Sequence, residues 1–129
     1  MKRITTTVGL VILVALALSA CSTKNLKIGS ESNGKTITID QGTSLILSIE
    51  GNPTTGYAWA VTDVDQKILS SMGEPGFKND SKLVGSGGVY TFKFKAETPG
   101  TTTLALDYFR SFEPENPPLE TFSVTVIVE

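Results

Sequence analysis

The chain of 129 residues contains no histidine and only one cysteine, Cys21. Without histidine, neither a Ser-His nor a Cys-His nucleophile pair can be assembled, and a histidine-ligated metal site is excluded. With one cysteine there is no intrachain disulfide, so any core must hold without a covalent staple. The remaining routes to catalysis are a carboxylate pair or a Ser-Lys arrangement. The acidic residues are scattered through turns with no constellation, so the chain is expected not to be an enzyme and to need no cofactor or metal. No ten-residue helical periodicity appears, which excludes a βαβ architecture. The longest apolar run, Val8 to Leu18, spans about eleven residues, whereas a membrane-crossing helix needs roughly twenty.

What the amino terminus does contain is an export signal. Lys2 and Arg3 precede that short apolar run, and small residues follow it, the pattern of a secretory signal peptide over residues 1–20. Leu18-Ser19-Ala20-Cys21 resembles the lipobox at which bacterial signal peptidases cut before a cysteine that carries lipid. Lipidation would also account for the lone cysteine, since a free exposed thiol is a liability in an oxidising compartment. The expectation is an exported protein, lipid-anchored to the bacterial cell envelope, at the outer membrane or cell surface, through Cys21.

Cleavage there leaves residues 21–129, enough for one domain with one core and too few for two. Losing Lys2 and Arg3 leaves nine basic against thirteen acidic residues, a net charge of −4. That balance argues against nucleic acid as a partner and against electrostatic docking on anionic lipid. Residues 22–34, rich in Ser, Lys, Asn and Gly, read as a tether with a reach of about 20 Å. Leu26 and Ile28 alternate within it, which leaves open a short edge strand.

From residue 35 onward the pattern has period two. Ile37 and Ile39 alternate with Thr36, Thr38 and Asp40; Leu45, Leu47 and Ile49 with Ser44, Ser48 and Glu50. Tyr90, Phe92 and Phe94 alternate with Thr91, Lys93 and Lys95; Leu104, Leu106 and Tyr108 with Thr103, Ala105 and Asp107. Phe122, Val124, Val126 and Val128 close the chain in the same way. Tyr57 to Thr62 and Gln66 to Ser70 are shorter runs, the second equally readable as one helical turn. Such alternation puts one face on a core and the other toward water. With Gly, Pro, Asn and Asp clusters between the runs, it predicts an all-β chain folded as an immunoglobulin-like β-sandwich of about seven antiparallel strands. Trp59 falls on the third strand, where such domains keep a buried tryptophan. Five of the six phenylalanines, with Trp59, Tyr90 and Tyr108, are expected to fill the core.

Three connections carry more than a turn requires. In Gly51-Asn52-Pro53-Thr54-Thr55-Gly56-Tyr57-Ala58-Trp59, Asn52-Pro53 initiates a turn, Gly56 allows a restricted backbone, and two threonines offer hydroxyls to stiffen it. Gly85-Ser86-Gly87-Gly88 holds three glycines in four positions, which lets another backbone approach closely. Arg110-Ser111-Phe112 places a cation and an aromatic at a loop tip, the residue types that dominate interface energetics, with prolines beyond it to limit its freedom. Each alone also reads as a well-made connection. In a sandwich of this topology, however, all three emerge at one end and form one composite surface.

Together these residues resemble the chagasin family, immunoglobulin-like inhibitors of papain-type cysteine proteases. Asn52 to Trp59 matches that family's NPTTGY-x-W loop, Lys82 to Gly88 is similar to its second loop with a G-x-G-G core, and Arg110-Ser111-Phe112 stands where the family has R-P-W. The resemblance spans essentially the whole domain. It implies reversible, competitive inhibition of papain-like (cathepsin L-type) proteases by a monomer. Asn52, Pro53, Thr54, Thr55, Gly56, Tyr57 and Trp59 would form or support the loop over the catalytic cysteine. Gly85, Ser86, Gly87 and Gly88 would pair with one cleft wall, and Arg110, Ser111 and Phe112 would meet the other. Ser111 and Phe112 depart from the family's Pro and Trp, which implies a smaller and less fixed anchor. The competing reading is a lipid-anchored adhesion or assembly module that uses the same loop end for a non-protease partner.

Overall fold

Alternating β-branched and aromatic residues form the expected strands, because each pleat can bury one face only if its apolar residues recur every second position. The computed structural model describes residues 24–129. The signal peptide, Cys21 and the first residues of the expected tether lie outside the described residues. Among the described residues, nine strands form two packed sheets. They are β1 (Asn25–Ile28), β2 (Thr36–Ile39), β3 (Ser44–Gly51), β4 (Ala58–Asp63), β5 (Leu69–Ser71), β6 (Gly76–Asn79), β7 (Gly88–Ala96), β8 (Gly100–Phe109) and β9 (Glu120–Val128). One sheet has the order β1-β3-β7-β5, with β6 also on β7; the other runs β2-β9-β8-β4.

Three expectations change. The count is nine rather than about seven, because β1 and β6 are strands with few apolar residues, held by main-chain pairing to β3 and β7. The sandwich is not antiparallel throughout: β1 pairs parallel to β3, and β2 parallel to β9. A 3-10 turn at Ser30–Ser32 carries the chain from the first sheet to the second, so that two successive strands each join a different sheet as a parallel edge. The folded body therefore starts near residue 25 and not at 35; Leu26 and Ile28 are the alternating pair of an edge strand, with Ile28 in the core. Residues 66–68 form the turn, and only 69–71 the strand β5.

The core lies between the sheets, where Leu45, Leu47, Phe94, Leu104, Leu106, Phe122, Val124 and Val126 are essentially inaccessible. Trp59 is 4% exposed, as its place on the sandwich requires. Phe92, Phe94 and Phe122 are buried, whereas Phe109 is only half-buried and Phe77 is exposed on the edge strand β6. The aromatic core is thus built from three phenylalanines, not five. The Phe77 ring instead covers Tyr90 from outside, at a centroid distance of 4.9 Å.

Candidate functional site

β3, β6 and β8 all run toward the same pole, and the connections they enter there are residues 52–57, 80–87 and 110–119. Proline at 53 fixes φ for a tight turn, and Pro53–Thr55 closes as one turn of 3-10 helix. Asn52 caps it: its Oδ1 accepts from Thr54 N–H at 3.1 Å and from the Thr54 hydroxyl at 2.5 Å. The Thr55 hydroxyl donates back to the Asn52 carbonyl at 2.6 Å. Gly56 ends the turn in the left-handed region, φ 85°, where a side chain is strained. Thr54 and Thr55 form the exposed crest of this wedge.

An aromatic column supports the wedge from below. Tyr108 stacks on Trp59 with centroids 5.0 Å apart and tilts against Tyr57 at 5.4 Å. The Tyr108 hydroxyl accepts from Asn52 N–H at 2.8 Å and donates to the Asn52 carbonyl at 3.3 Å, which fixes the residue where the loop leaves β3. Trp59 Nε1–H donates to the Glu50 carbonyl at 2.9 Å. On the flank of the column, burial pushes the Tyr90 phenol above its ordinary pKa, with Tyr108 adding to the shift, so Tyr90 stays neutral.

Side chains stitch the three loops together. Asn52 Nδ2–H donates to the Gly85 carbonyl at 3.0 Å, joining the wedge to the second loop. Arg110 Nε–H donates to the Thr55 carbonyl at 3.1 Å, joining it to the third. The Arg110 guanidinium lies 4.4 Å from the Tyr57 ring centroid and 5.9 Å from that of Phe112, and it pairs with Glu113 at 3.6 Å. Phe112 is 66% exposed and its ring faces Gly56, where a Cβ would come within 2.9 Å of it. Removing the Asn52 amide is expected to weaken target binding about tenfold, roughly 1.4 kcal/mol, through ordering cost rather than lost contact. Stopped-flow kinetics on Asn52→Ala should place the loss in the dissociation rate, with association nearly unchanged.

The composite surface expected from the sequence is therefore present, but its members play different parts. Pro53, Thr54, Thr55, Gly85, Ser111 and Phe112 are at the surface, and Asn52, Gly56, Tyr57, Ser86, Gly87 and Arg110 are partly covered. Trp59 and Gly88 are buried. Trp59 works from beneath, and Gly88 is needed because a Cβ there would collide with the Lys78 carbonyl and the Phe77 ring. A Cβ on Gly87 would meet the Gly51 carbonyl at 3.2 Å. Both glycines permit a close approach within the protein's own chain.

Two contributions went unread. Leu83 and Val84 project from the second loop almost fully exposed, while Ser86 ties the backbone beneath them through its hydroxyl to the Leu83 and Ser81 carbonyls. Their signal was an apolar pair in a polar loop that fits no alternation. Alternation places Tyr108 in the core and does not encode its hydroxyl's role under Asn52. Among the described residues there is no group of three or more carboxylates or thiols able to hold a metal ion. The site offers contact surface and backbone stiffness.

Comparison with known proteins identifies the family. The model of the chagasin family of peptidase inhibitors I42 matches residues 38–126. Chagasin of Trypanosoma cruzi is 29% identical over 102 residues, which covers 76% of this chain and 93% of chagasin. Amoebiasin-1 of Entamoeba histolytica is 30% identical over 104 residues, covering 81% of this chain and all of that protein. The crystal structure of the cysteine protease inhibitor EhICP2 from Entamoeba histolytica superposes with a TM-score of 0.72 at 21% identity, over 84% of this chain and 98% of that one.

Proposed function

This chain belongs to the chagasin family, a cysteine protease inhibitor and not an enzyme, and from that premise we propose that it blocks papain-like proteases reversibly and competitively with the three stitched loops. The observation that carries this reading is the pair of bonds from Asn52 to Gly85 and from Arg110 to Thr55, which makes three connections one stiff surface. Thr54, Thr55 and Gly56 lie over the catalytic cysteine, Leu83 to Gly87 along one wall of the cleft, and Arg110 to Phe112 along the other. Preorganisation lowers the ordering cost of binding, so more of the contact energy appears as affinity.

The wedge resists cleavage because its scissile bonds are in the wrong shape. A protease attacks a carbonyl held in near-attack geometry. Here the backbone from Pro53 to Thr55 is a closed turn, and the Asn52, Pro53 and Thr55 carbonyls already accept bonds from Thr55, Gly56 and Arg110. Kinetics with a fluorogenic peptide should show an apparent inhibition constant that rises linearly with substrate concentration. The inhibitor's mass should be unchanged after prolonged incubation with papain; a cleaved chain or substrate-independent inhibition would contradict the mechanism. Phe112→Trp, which restores the family's larger anchor, is expected to tighten binding by about 1–2 kcal/mol.

The anchoring is proposed in the same terms: Cys21 carries lipid and holds the domain at the bacterial cell envelope. What supports it is the charged start, the short apolar run and Leu18-Ser19-Ala20-Cys21. No helix among the described residues is long and apolar enough to cross a membrane.

A further inference from the structure

The inhibitory loops and the start of the folded chain occupy opposite poles of the sandwich. β3 rises from Ser44 and delivers Gly51 to the wedge, and β1 runs parallel to it with Asn25 beside Ser44. Asn25 therefore belongs to the pole farthest from the loops, along with the turns at 40–43 and 97–99 and the end of β9. The chain is fastened there from Lys24 onward. Ser44 N–H donates to the Lys24 carbonyl at 2.8 Å, and the Lys24 ammonium donates to Asp40 at 2.7 Å.

The distance that matters is the one from this fastening to Cys21. Most of the stretch that reads as a flexible tether is β1 and the turn after it, so only Ser22 and Thr23 separate Cys21 from Lys24. Three Cα-to-Cα steps span at most about 11 Å. β8 runs from the anchor pole to the loop pole in ten residues, which is about 30 Å of strand. A freely jointed tether of the thirteen residues 22–34 would let the domain turn over; a link of three steps is too short to bring the loops to the bilayer with the anchor in place.

Resting on the lipid anchoring of Cys21 proposed above, we infer that the pole formed by Lys24, residues 40–43 and residues 97–99 is a membrane-facing surface that holds the three loops outward. The domain then captures proteases that arrive from the aqueous phase, or from an opposing surface, rather than those whose clefts lie against its own bilayer. Charge does not drive this arrangement; the short link does. The anchor pole carries Asp40, Asp65, Glu97 and Glu129 against Lys24 and Lys67, so it is not drawn flat onto anionic headgroups. The competing pull comes from Lys27, Lys93 and Lys95, exposed on the outer face of the first sheet, which on anionic lipid would lay the sandwich on its side.

The test uses the full chain produced in a bacterial host, purified from membranes and reconstituted into phosphatidylcholine vesicles containing some phosphatidylglycerol. Cysteine introduced by Thr98→Cys at the anchor pole, or by Glu115→Cys at the loop pole, carries a dye, since lipidated Cys21 does not react. A short-range quencher is attached to the headgroups. The dye at position 98 is expected to be quenched several-fold more strongly than the dye at 115. Equal quenching, the signature of a sandwich lying on its lysine face, or stronger quenching at 115 overturns the orientation. The mass of the amino-terminal peptide is read in parallel: an unmodified Cys21 in a protein that does not float with the vesicles overturns the anchoring and this inference with it.

Discussion

Replacing Gly56 by alanine is expected to weaken inhibition of papain about a hundredfold, roughly 2–3 kcal/mol, while leaving the sandwich folded. Two independent costs combine. Gly56 has φ 85°, and a left-handed residue with a Cβ is strained by about 1–2 kcal/mol. The new methyl would also fall 2.9 Å from the Phe112 ring, closer than any relaxed carbon contact, and so must displace either that ring or the crest of the wedge. Either movement separates surfaces that have to reach the cleft together. Because the crest is exposed, the free loop relieves part of this strain by shifting and incurs it again when the cleft requires the wedge shape; the rest, up to about 1–2 kcal/mol, lowers the unfolding midpoint in urea without unfolding the sandwich. An inhibition constant unchanged by Gly56→Ala would mean that the wedge does not enter the cleft in this shape.

The largest effect on stability is expected from Trp59→Ala, at about 3–5 kcal/mol. A domain of this size has about 5–15 kcal/mol in total, so the variant loses a large part of it. The indole is buried between the sheets and stacked on Tyr108, and its N–H satisfies the Glu50 carbonyl. Removal leaves a cavity and a carbonyl without its donor. Trp59→Phe keeps most of the volume but not the donor, and should cost about 1–3 kcal/mol from the unsatisfied carbonyl. Urea unfolding of the three proteins separates packing from hydrogen bonding. Since Trp59 supports Tyr108, which in turn holds Asn52, both variants should also raise the dissociation rate from papain.

The long strands were legible because each had four or five chances to state its period. β3, β7, β8 and β9 bury every second residue, and the Tyr90-Phe92-Phe94 and Val124-Val126-Val128 series say so directly. β1 was half legible, since Leu26 and Ile28 raise an edge strand without deciding it, and β6 was not, for a physical reason. Gly76-Phe77-Lys78-Asn79 is exposed along its whole length and exists through main-chain bonds to β7, which side-chain pattern does not encode. The parallel pairing of β1 and β2 depends on where a three-residue turn sends the chain, and no local residue choice announces it.

The wedge was legible for the opposite reason, since its shape is local. Asn52, Pro53, Thr54, Thr55 and Gly56 each do what turn chemistry asks of them, within five residues. Contacts between loops were hidden, because Asn52 meets Gly85 and Arg110 meets Thr55 across 33 and 55 residues of chain. The glycines at 87 and 88 also serve the fold, which sequence pattern does not announce, since the atoms beside them are those of Gly51, Phe77 and Lys78.

The most direct test of the account is a titration of papain with residues 22–129, beside the same domain lacking Thr54 to Gly56. The intact domain should inhibit tightly and competitively, and the deletion, still folded by urea unfolding, should inhibit little or not at all. Equal inhibition by the two would place the binding surface elsewhere on the sandwich, and no inhibition by the folded intact domain across several papain-like proteases would contradict the proposed mechanism itself.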